Sequence, residues 1–178
     1  MTVSDDLLGR HDIVSADDME QLGRRLGAGL VAGDLLVLTG PLGAGKTTLS
    51  RGIAEGLGVR GPIQSPTFVI ARTHPSLIDG PPLVHADAYR LGSALELDDL
   101  DIDAEGSVVV VEWGRGMAEG LREVWWELEI ERPVGGRGGH VAEEGSTMCG
   151  DLSRSTEALD ELGLEDDAPR VVTISRHP

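Results

Sequence analysis

The sequence predicts a small α/β fold in which helices cover both faces of a mixed, mostly parallel β-sheet. Short apolar runs alternate along the chain with segments of helical periodicity, which is the order that builds a parallel sheet with covering helices. Residues 108–111 are four consecutive valines, as in a strand that is buried on both faces. A turn-rich connection near residues 67–87 joins two predicted strands as a hairpin, so we expect at least one antiparallel pair.

The first third of the chain predicts two strands and two helices. Residues 11–14 predict a short strand, and Ser15 begins the Ser-x-x-Asp pattern that caps the start of a helix. The apolar residues of this first helix recur at helical spacing: Met19, Leu22, Leu26 and Leu30. Residues 34–39 predict a buried strand. The second helix has an apolar residue every four positions and ends at Gly58: Leu49, Ile53 and Leu57.

The middle of the chain predicts further strands of the same sheet. We expect a strand at residues 67–72, a turn-rich connection at 74–82 and a second short strand at 83–86. Residues 95–100 predict one or two helical turns. The alternation of apolar and acidic residues at 126–130 predicts a half-exposed strand.

The last part of the chain changes in composition. Residues 133–150 contain six glycines and almost no periodicity, and acidic residues dominate the stretch that follows. We expect residues 134–169 to form a mobile, acidic, glycine-rich insertion, with a short helix at 155–162 inside it. A closing strand is predicted at 170–175.

Composition limits the class of protein. The 178 residues are 40% hydrophobic and 26% charged, so we expect residues 1–178 to fold as one domain with a substantial core. The net charge of −16 opposes binding to DNA, a broad tRNA-binding face and docking on an anionic membrane. The single cysteine, Cys149, fits a reducing compartment, and we find neither a signal pattern nor a membrane-spanning run. We therefore expect a cytoplasmic protein.

The segment Gly40–Thr47 matches G-x-x-x-x-G-K-[ST] and lies between a predicted strand and a predicted helix. Such a loop turns backbone N–H groups toward phosphate oxygens, and the helix presents its positive end to the same anion. Lys46 is the only lysine among fifteen basic residues. We expect Lys46 to bind the β- and γ-phosphates and Thr47 to bind Mg²⁺. The sequence thus predicts a P-loop NTPase fold.

Acidic residues end two of the predicted strands. Glu112 follows the valine run, and Asp87 follows the strand at residues 83–86. Because ligands collect at the carboxyl edge of parallel strands, we expect both acids to serve the metal or the attacking water. Each could also be a solvated strand end. His85, nearby, is either a packing residue or a functional one.

Two further segments allow a structural and a functional interpretation. The ring of Trp113 either packs on the sheet edge, or shields the phosphates or contacts a partner. The Ser-Pro-Thr-Phe segment at residues 65–68 is either a strand entry or a switch that senses the γ-phosphate through Thr67.

Four motifs in order, GPLGAGKTT, SPTF, HADAYRL and VVVVEW, resemble the TsaE-type (YjeE) ATPase family. The resemblance covers about residues 11–132 and extends to the last strand. It implies a small P-loop fold that uses ATP and Mg²⁺ and supports turnover of a TsaB–TsaD transferase complex. That complex modifies tRNA to threonylcarbamoyladenosine, so contact of the ATPase with tRNA would be indirect.

The resemblance also implies roles for individual residues. Lys46, Asp87 and Glu112 would be catalytic, and Thr47 and Glu112 would bind the metal. Asp87 would serve the hydrolytic water or the metal shell. The implied nucleotide contacts are Ser15, Ala16, Gly43, Ala44, Gly45, Lys46, Thr47, Thr48, Ser65, Thr67, Trp113 and Arg115.

Two other functions remain open from the residues alone. A small-molecule P-loop kinase would need an arginine-bearing lid and an acceptor site, for which residues 88–131 offer only Arg90, Arg115 and Arg122. A nucleotide-gated binding module would need the loop but not Asp87. No arginine is an obvious source of charge for the transition state, so an ATPase of this kind would be slow without partners.

Overall fold

The computed structural model describes residues 5–64, 70–132 and 169–178. The strands are β1 Gly9–Ile13, β2 Leu35–Thr39, β3 Ala71–His74, β4 Leu83–Asp87, β5 Val108–Glu112, β6 Trp125–Glu131 and β7 Arg170–His177. The α-helices are α1 Ala16–Gly27, α2 Lys46–Leu57 and α3 Ala94–Asp98. Short 3₁₀ turns occur at Asp5–Leu7, Ala88–Arg90 and Glu119–Leu121.

The strands form one sheet in the order β1-β7-β6-β2-β5-β4-β3. Its four central strands, β6, β2, β5 and β4, are parallel to one another. The outer pairs β1–β7, β7–β6 and β4–β3 are antiparallel. The predicted α/β class with a mixed sheet is therefore confirmed, and the expected hairpin is the β3–β4 pair.

Helices and turns cover both faces of the sheet because the central strands are apolar on both sides. In β2, Leu36 and Leu38 belong to the same apolar cluster as residues of α1 and α2. Leu35 and Val37 belong to the opposite cluster, which includes residues of α3 and the 3₁₀ turns. All four side chains are fully buried. The valines of β5 divide between the two faces in the same way, as a strand buried on both sides requires.

Helices α1 and α2 approach each other closely through glycines that we did not predict to matter. Gly23 and Gly27 lie on α1, and Gly52 and Gly56 lie on α2. A Cβ atom at any of these four positions would collide with backbone atoms of the other helix. The close crossing fixes α2, and with it the loop that precedes α2, relative to the sheet.

Several predicted boundaries were wrong. Strand β3 extends to His74, which we had assigned to a connection, because this edge strand is polar and lacks apolar periodicity. Strand β1 begins at Gly9, and β7 continues to His177. Part of the strand predicted at 67–72 lies outside the described residues. The insertion predicted at 134–169 also does so, apart from residue 169.

Candidate nucleotide-binding site

The loop between β2 and α2 has a backbone that only glycine adopts without strain at three positions. Gly40, Gly43 and Gly45 have φ angles of +155°, +73° and +106°. Gly45 is also the residue that precedes the first turn of α2, and no side chain caps this end of the helix. The first N–H groups of α2 therefore have no intrahelical or side-chain acceptor, and the helix dipole adds positive potential there. This arrangement suits an anion.

Lys46, the first residue of α2, directs its ammonium group back over the loop. Its Nζ donates hydrogen bonds to the carbonyl oxygens of Gly40 at 2.8 Å and Pro41 at 3.0 Å. The same Nζ lies 3.6 Å from the centre of the Trp113 ring, a cation–π contact. The residue is only 5% exposed. The only lysine of the chain is thus held at the mouth of the glycine loop.

Two opposing effects act on the pKa of Lys46. Burial lowers the pKa below the ordinary value, because removing the ammonium group from water disfavours its charged form. The carboxylates of Glu112 and Asp87 act in the opposite direction and favour the charge. A bound anion would act in the same direction as these carboxylates, and it would raise the pKa of Lys46 from its lowered value.

Glu112, at the end of β5, is a buried carboxylate with three side-chain partners. Its Oε2 accepts a hydrogen bond from the Thr47 hydroxyl at 3.1 Å. Its Oε1 lies 3.2 Å from the Ser50 hydroxyl and 2.8 Å from Nε2 of His85. The residues that we predicted as metal ligands therefore contact each other. Ser50 was missed, because a serine inside a helix has no distinctive sequence pattern.

Asp87 ends β4 directly beside Glu112, its register partner in the parallel β4–β5 pair. Its Oδ1 accepts a hydrogen bond from the backbone N–H of Tyr89 at 3.0 Å, which starts the following 3₁₀ turn. Its charge acts on Lys46. The two acids and the lysine thus meet at one edge of the sheet, as the strand order predicts.

Trp113 has a φ angle of +61°, which is uncommon for a residue with a large side chain. Its backbone N–H donates to the carbonyl oxygen of Leu38 at 2.9 Å, and its ring lies 5.1 Å from that of Tyr89 at a tilt of 53°. Both contacts help to hold this conformation. The ring does more than pack on the sheet edge, because it covers the Lys46 ammonium.

The start of α1 lies near the loop, where we predicted nucleotide contacts from Ser15 and Ala16. Ser15 caps α1: its hydroxyl oxygen accepts from the N–H of Asp18 at 3.1 Å, as the capping pattern predicted. Ala16 is the first residue of the helix. The Met19 side chain, one turn further on, would be 3.2 Å from a Cβ atom at Gly45. The nucleotide contacts themselves stay a prediction.

The other predicted contacts differ in their surroundings. Thr48 lies in the first turn of α2, partly buried. Arg115 forms ion pairs with Glu127 and Glu129 of β6, and these hydrogen bonds raise the pKa of its guanidinium above the ordinary value. A role of Arg115 toward a nucleotide would compete with these pairs. Ser65 and Thr67 lie outside the described residues.

The residues at the loop fit a magnesium ion that arrives with a nucleotide. Within the described ranges, no group of three or more histidine, cysteine, aspartate or glutamate residues could hold a metal by itself. Mg²⁺ is usually bound by one or two protein oxygens together with substrate phosphates and water. The contacting oxygens of Thr47 and Glu112, beside a glycine loop suited to phosphate, match that mode.

Among the residues that the structure describes, no helix is both long and apolar enough to span a membrane.

Comparison with known families supports the motif resemblance. The family model described as "Threonylcarbamoyl adenosine biosynthesis protein TsaE" matches residues 13–137. This range contains the glycine loop, both strand-end acids and Trp113.

Several relatives carry a closely similar name. A Streptomyces coelicolor protein named tRNA threonylcarbamoyladenosine biosynthesis protein TsaE is 63% identical over 120 residues, which are 66% of this chain and 81% of that protein. The Mycobacterium tuberculosis protein of the same name is 51% identical over 133 residues, 70% of this chain and 79% of that protein. The crystal structure of YdiB from Bacillus subtilis matches with a TM-score of 0.60 and 26% identity, over 94% of this chain and 84% of that one.

Proposed function

The chain belongs to the TsaE family, and we propose that it is the ATPase component of bacterial tRNA threonylcarbamoyladenosine modification. In this proposal it binds ATP with Mg²⁺ in the cytoplasm and hydrolyses it to support turnover of a TsaB–TsaD type transferase complex. Its contact with tRNA is indirect, through that complex, which agrees with a net charge of −16.

One observation carries the proposal. The only lysine of the chain lies over a glycine loop at the start of α2, beside a buried carboxylate that contacts the Thr47 hydroxyl. A nucleoside triphosphate needs this combination of N–H donors, one ammonium group and one metal-binding pair.

The residues of the site divide the work of phosphoryl transfer. The amide groups of Gly43, Ala44 and Gly45 would donate hydrogen bonds to phosphate oxygens, and Lys46 would neutralise the β- and γ-phosphates. The Ala44 N–H would first have to leave the Pro41 carbonyl oxygen, to which it donates at 3.1 Å in this structure. Thr47 and Glu112 would hold Mg²⁺, which supplies charge that stabilises the transferred phosphoryl group.

Asp87 lies at the same sheet edge, where its carboxylate would accept a hydrogen bond from the attacking water and orient it. Substitution of Asp87 would distinguish an enzyme from a nucleotide-gated binding module. Hydrolysis would require Asp87, whereas phosphate binding by the loop would not. The candidate switch residues, Ser65 and Thr67, stay a prediction.

The rate of ATP hydrolysis by the isolated chain depends on whether the chain itself supplies an arginine to stabilise the negative charge of the transition state. Within the described residues, Arg115 is engaged by two glutamates, and Arg90 follows Asp87 in an exposed turn. We expect the decisive arginine to come from the partner complex, as in P-loop switches that depend on an activator.

The test is to measure phosphate release from ATP by the purified chain, alone and with the transferase pair and tRNA. We expect slow turnover alone and acceleration by the complete system. Fast turnover that is the same in both conditions would contradict a dependence on partners. Transfer of phosphate to a metabolite instead of water would favour a kinase.

A further inference from the structure

A buried histidine connects the candidate site to the core of the sheet. His85 lies in β4, and its side chain is 1% exposed, while that of Glu112 is 3% exposed. The distance between Nε2 of His85 and Oε1 of Glu112 is 2.8 Å. A polar ring at such a depth costs free energy unless it is hydrogen-bonded, and this contact supplies a partner for Nε2 of the ring. It also constrains the carboxylate.

We propose that His85 is a positioning residue that fixes the Glu112 carboxylate, so that Oε2 of Glu112 faces the Thr47 hydroxyl. The inference rests on the proposed function, because it takes Thr47 and Glu112 as the pair that holds Mg²⁺. It assigns to His85 an effect on magnesium-dependent nucleotide binding, beyond the packing that any buried histidine provides.

The strand register makes this contact possible. In the parallel β4–β5 pair, His85 is beside Val110 and Asp87 is beside Glu112. His85 and Glu112 therefore differ by two positions along the sheet and lie on the same face, since side chains alternate. The histidine ring approaches the carboxylate from the core side, and Thr47 approaches it from the side of α2.

His85 is the principal hydrogen-bond donor to Oε1 of Glu112, because the other candidate, the Ser50 hydroxyl, has one hydrogen and two possible acceptors. An ionised carboxylate only accepts, so the hydrogen in this contact lies on Nε2 of His85. The Ser50 hydroxyl also contacts Oε1, but it has one hydrogen and lies closer to the carbonyl oxygen of Lys46, at 3.0 Å against 3.2 Å. Ser50 can donate fully to only one of them. Thr47 donates to the other carboxylate oxygen.

Three substitutions separate positioning from packing. His85→Gln retains a donor nitrogen at the same number of bonds from Cβ as Nε2. His85→Asn is too short to reach Glu112, and His85→Leu removes the donor and keeps apolar volume. His74→Leu is the matched control, because His74 is also a buried histidine but bonds to the carbonyl oxygen of Arg60.

The measurement is the affinity of a non-hydrolysable ATP analogue, by calorimetry, once with excess EDTA and once with Mg²⁺. For wild type and His74→Leu we expect the same gain in affinity on adding Mg²⁺. His85→Leu and His85→Asn should bind the analogue as wild type does in EDTA. Their gain in affinity on adding Mg²⁺ should be about tenfold smaller than that of wild type, which is the size of effect seen when hydrogen-bond partners of other metal ligands are substituted. His85→Gln should restore most of the gain.

The outcomes distinguish this inference from the function on which it rests. Failure of wild type to bind the analogue in either condition would overturn both. Normal wild-type binding, with an unchanged magnesium gain in His85→Asn, would overturn the role of His85 alone. Equal behaviour of His85→Asn and His85→Gln would also overturn it. If His85→Leu does not fold, the Asn and Gln variants decide the matter.

Discussion

Three charged residues, Lys46, Glu112 and Asp87, meet at one edge of the sheet. Substitution of each of them should affect nucleotide binding and hydrolysis to different extents. Lys46 and Glu112 are both buried, and Asp87 adds a second negative charge to the same edge. Isolated buried charges are costly, whereas this group contains both signs and its hydrogen bonds engage the ammonium and the carboxylates. Substitutions here should therefore change binding and chemistry by different amounts.

We expect Asp87→Asn to separate hydrolysis from binding. The amide keeps the size of the side chain and an oxygen for the Tyr89 N–H, but it loses the charge that we propose orients the attacking water. ATP turnover with the partner complex should fall by about 100-fold or more, while ATP affinity changes by less than about threefold. Steady-state phosphate release and calorimetry measure the two quantities.

Asp12→Asn is the matched control for Asp87→Asn, since Asp12 is an exposed aspartate of β1 that pairs with Arg10. Undiminished turnover in Asp87→Asn would favour a nucleotide-gated module without meaningful hydrolysis.

His74 should make the folded state less stable in mild acid. Burial lowers the pKa of His74 below 6.5, and the nearby His85 and Arg72 lower it further, although its hydrogen bond to Arg60 opposes this. Between the lowered value and 6.5, the unfolded chain therefore binds more protons than the folded chain. The free energy of unfolding must then decrease as the pH falls through this window.

Urea unfolding of wild type and His74→Asn at pH 7.5 and pH 5.5 measures this contribution. The asparagine can keep a donor near the Arg60 carbonyl but does not titrate. We expect wild type to lose more stability on acidification than the variant. An equal loss in both proteins would show that His74 does not contribute.

The positions of the candidate site residues could be predicted from sequence, and their supporting contacts could not. The loop motif and the strand ends pointed to Lys46, Thr47, Asp87 and Glu112, and the structure brings these four together at the carboxyl edge of the sheet. Their chemical roles stay predictions. Ser50 escaped prediction because a serine inside a helix has no distinctive pattern. The partners of Arg115 escaped it because they depend on how β6 pairs with β2, which a single sequence does not reveal.

At the scale of elements, the close crossing of α1 and α2 supports the loop. Sequence periodicity predicted both helices, but it indicated apolar faces and gave no weight to glycine pairs. The boundaries of β3 were equally hidden, because an exposed edge strand needs no apolar alternation. Tertiary contacts decided both features.

Gly27→Ala should destabilise the protein by about 2 kcal/mol. Alanine improves helix propensity by about 1 kcal/mol, but its methyl group would collide with the backbone of Ile53 on α2. Overpacking against a backbone that cannot yield should outweigh the gain. Thermal or urea unfolding gives the value.

Gly120→Ala is the control for Gly27→Ala, because a Cβ atom at Gly120 meets nothing within 4 Å. If the free energy of unfolding of Gly27→Ala equals that of wild type, α1 and α2 can move apart without loss of stability, and the prediction is wrong.

At the scale of the whole molecule, a chain with a net charge of −16 must bind an anionic ligand. The fold resolves this conflict locally. The loop amides, the start of α2 and Lys46 gather hydrogen-bond donors and positive charge at one place in a chain whose net charge is negative. The net negative charge also agrees with our proposal that contact with tRNA is indirect.

The most direct test of nucleotide binding is a calorimetric titration of ATP with Mg²⁺ into the purified, folded chain. We predict saturable uptake of one ATP per chain, and Lys46→Ala should weaken it by about 100-fold through loss of a charged hydrogen-bonding group. The exposed variant Arg25→Ala should bind like wild type. No uptake by folded wild type, or equal uptake by Lys46→Ala, would contradict the account.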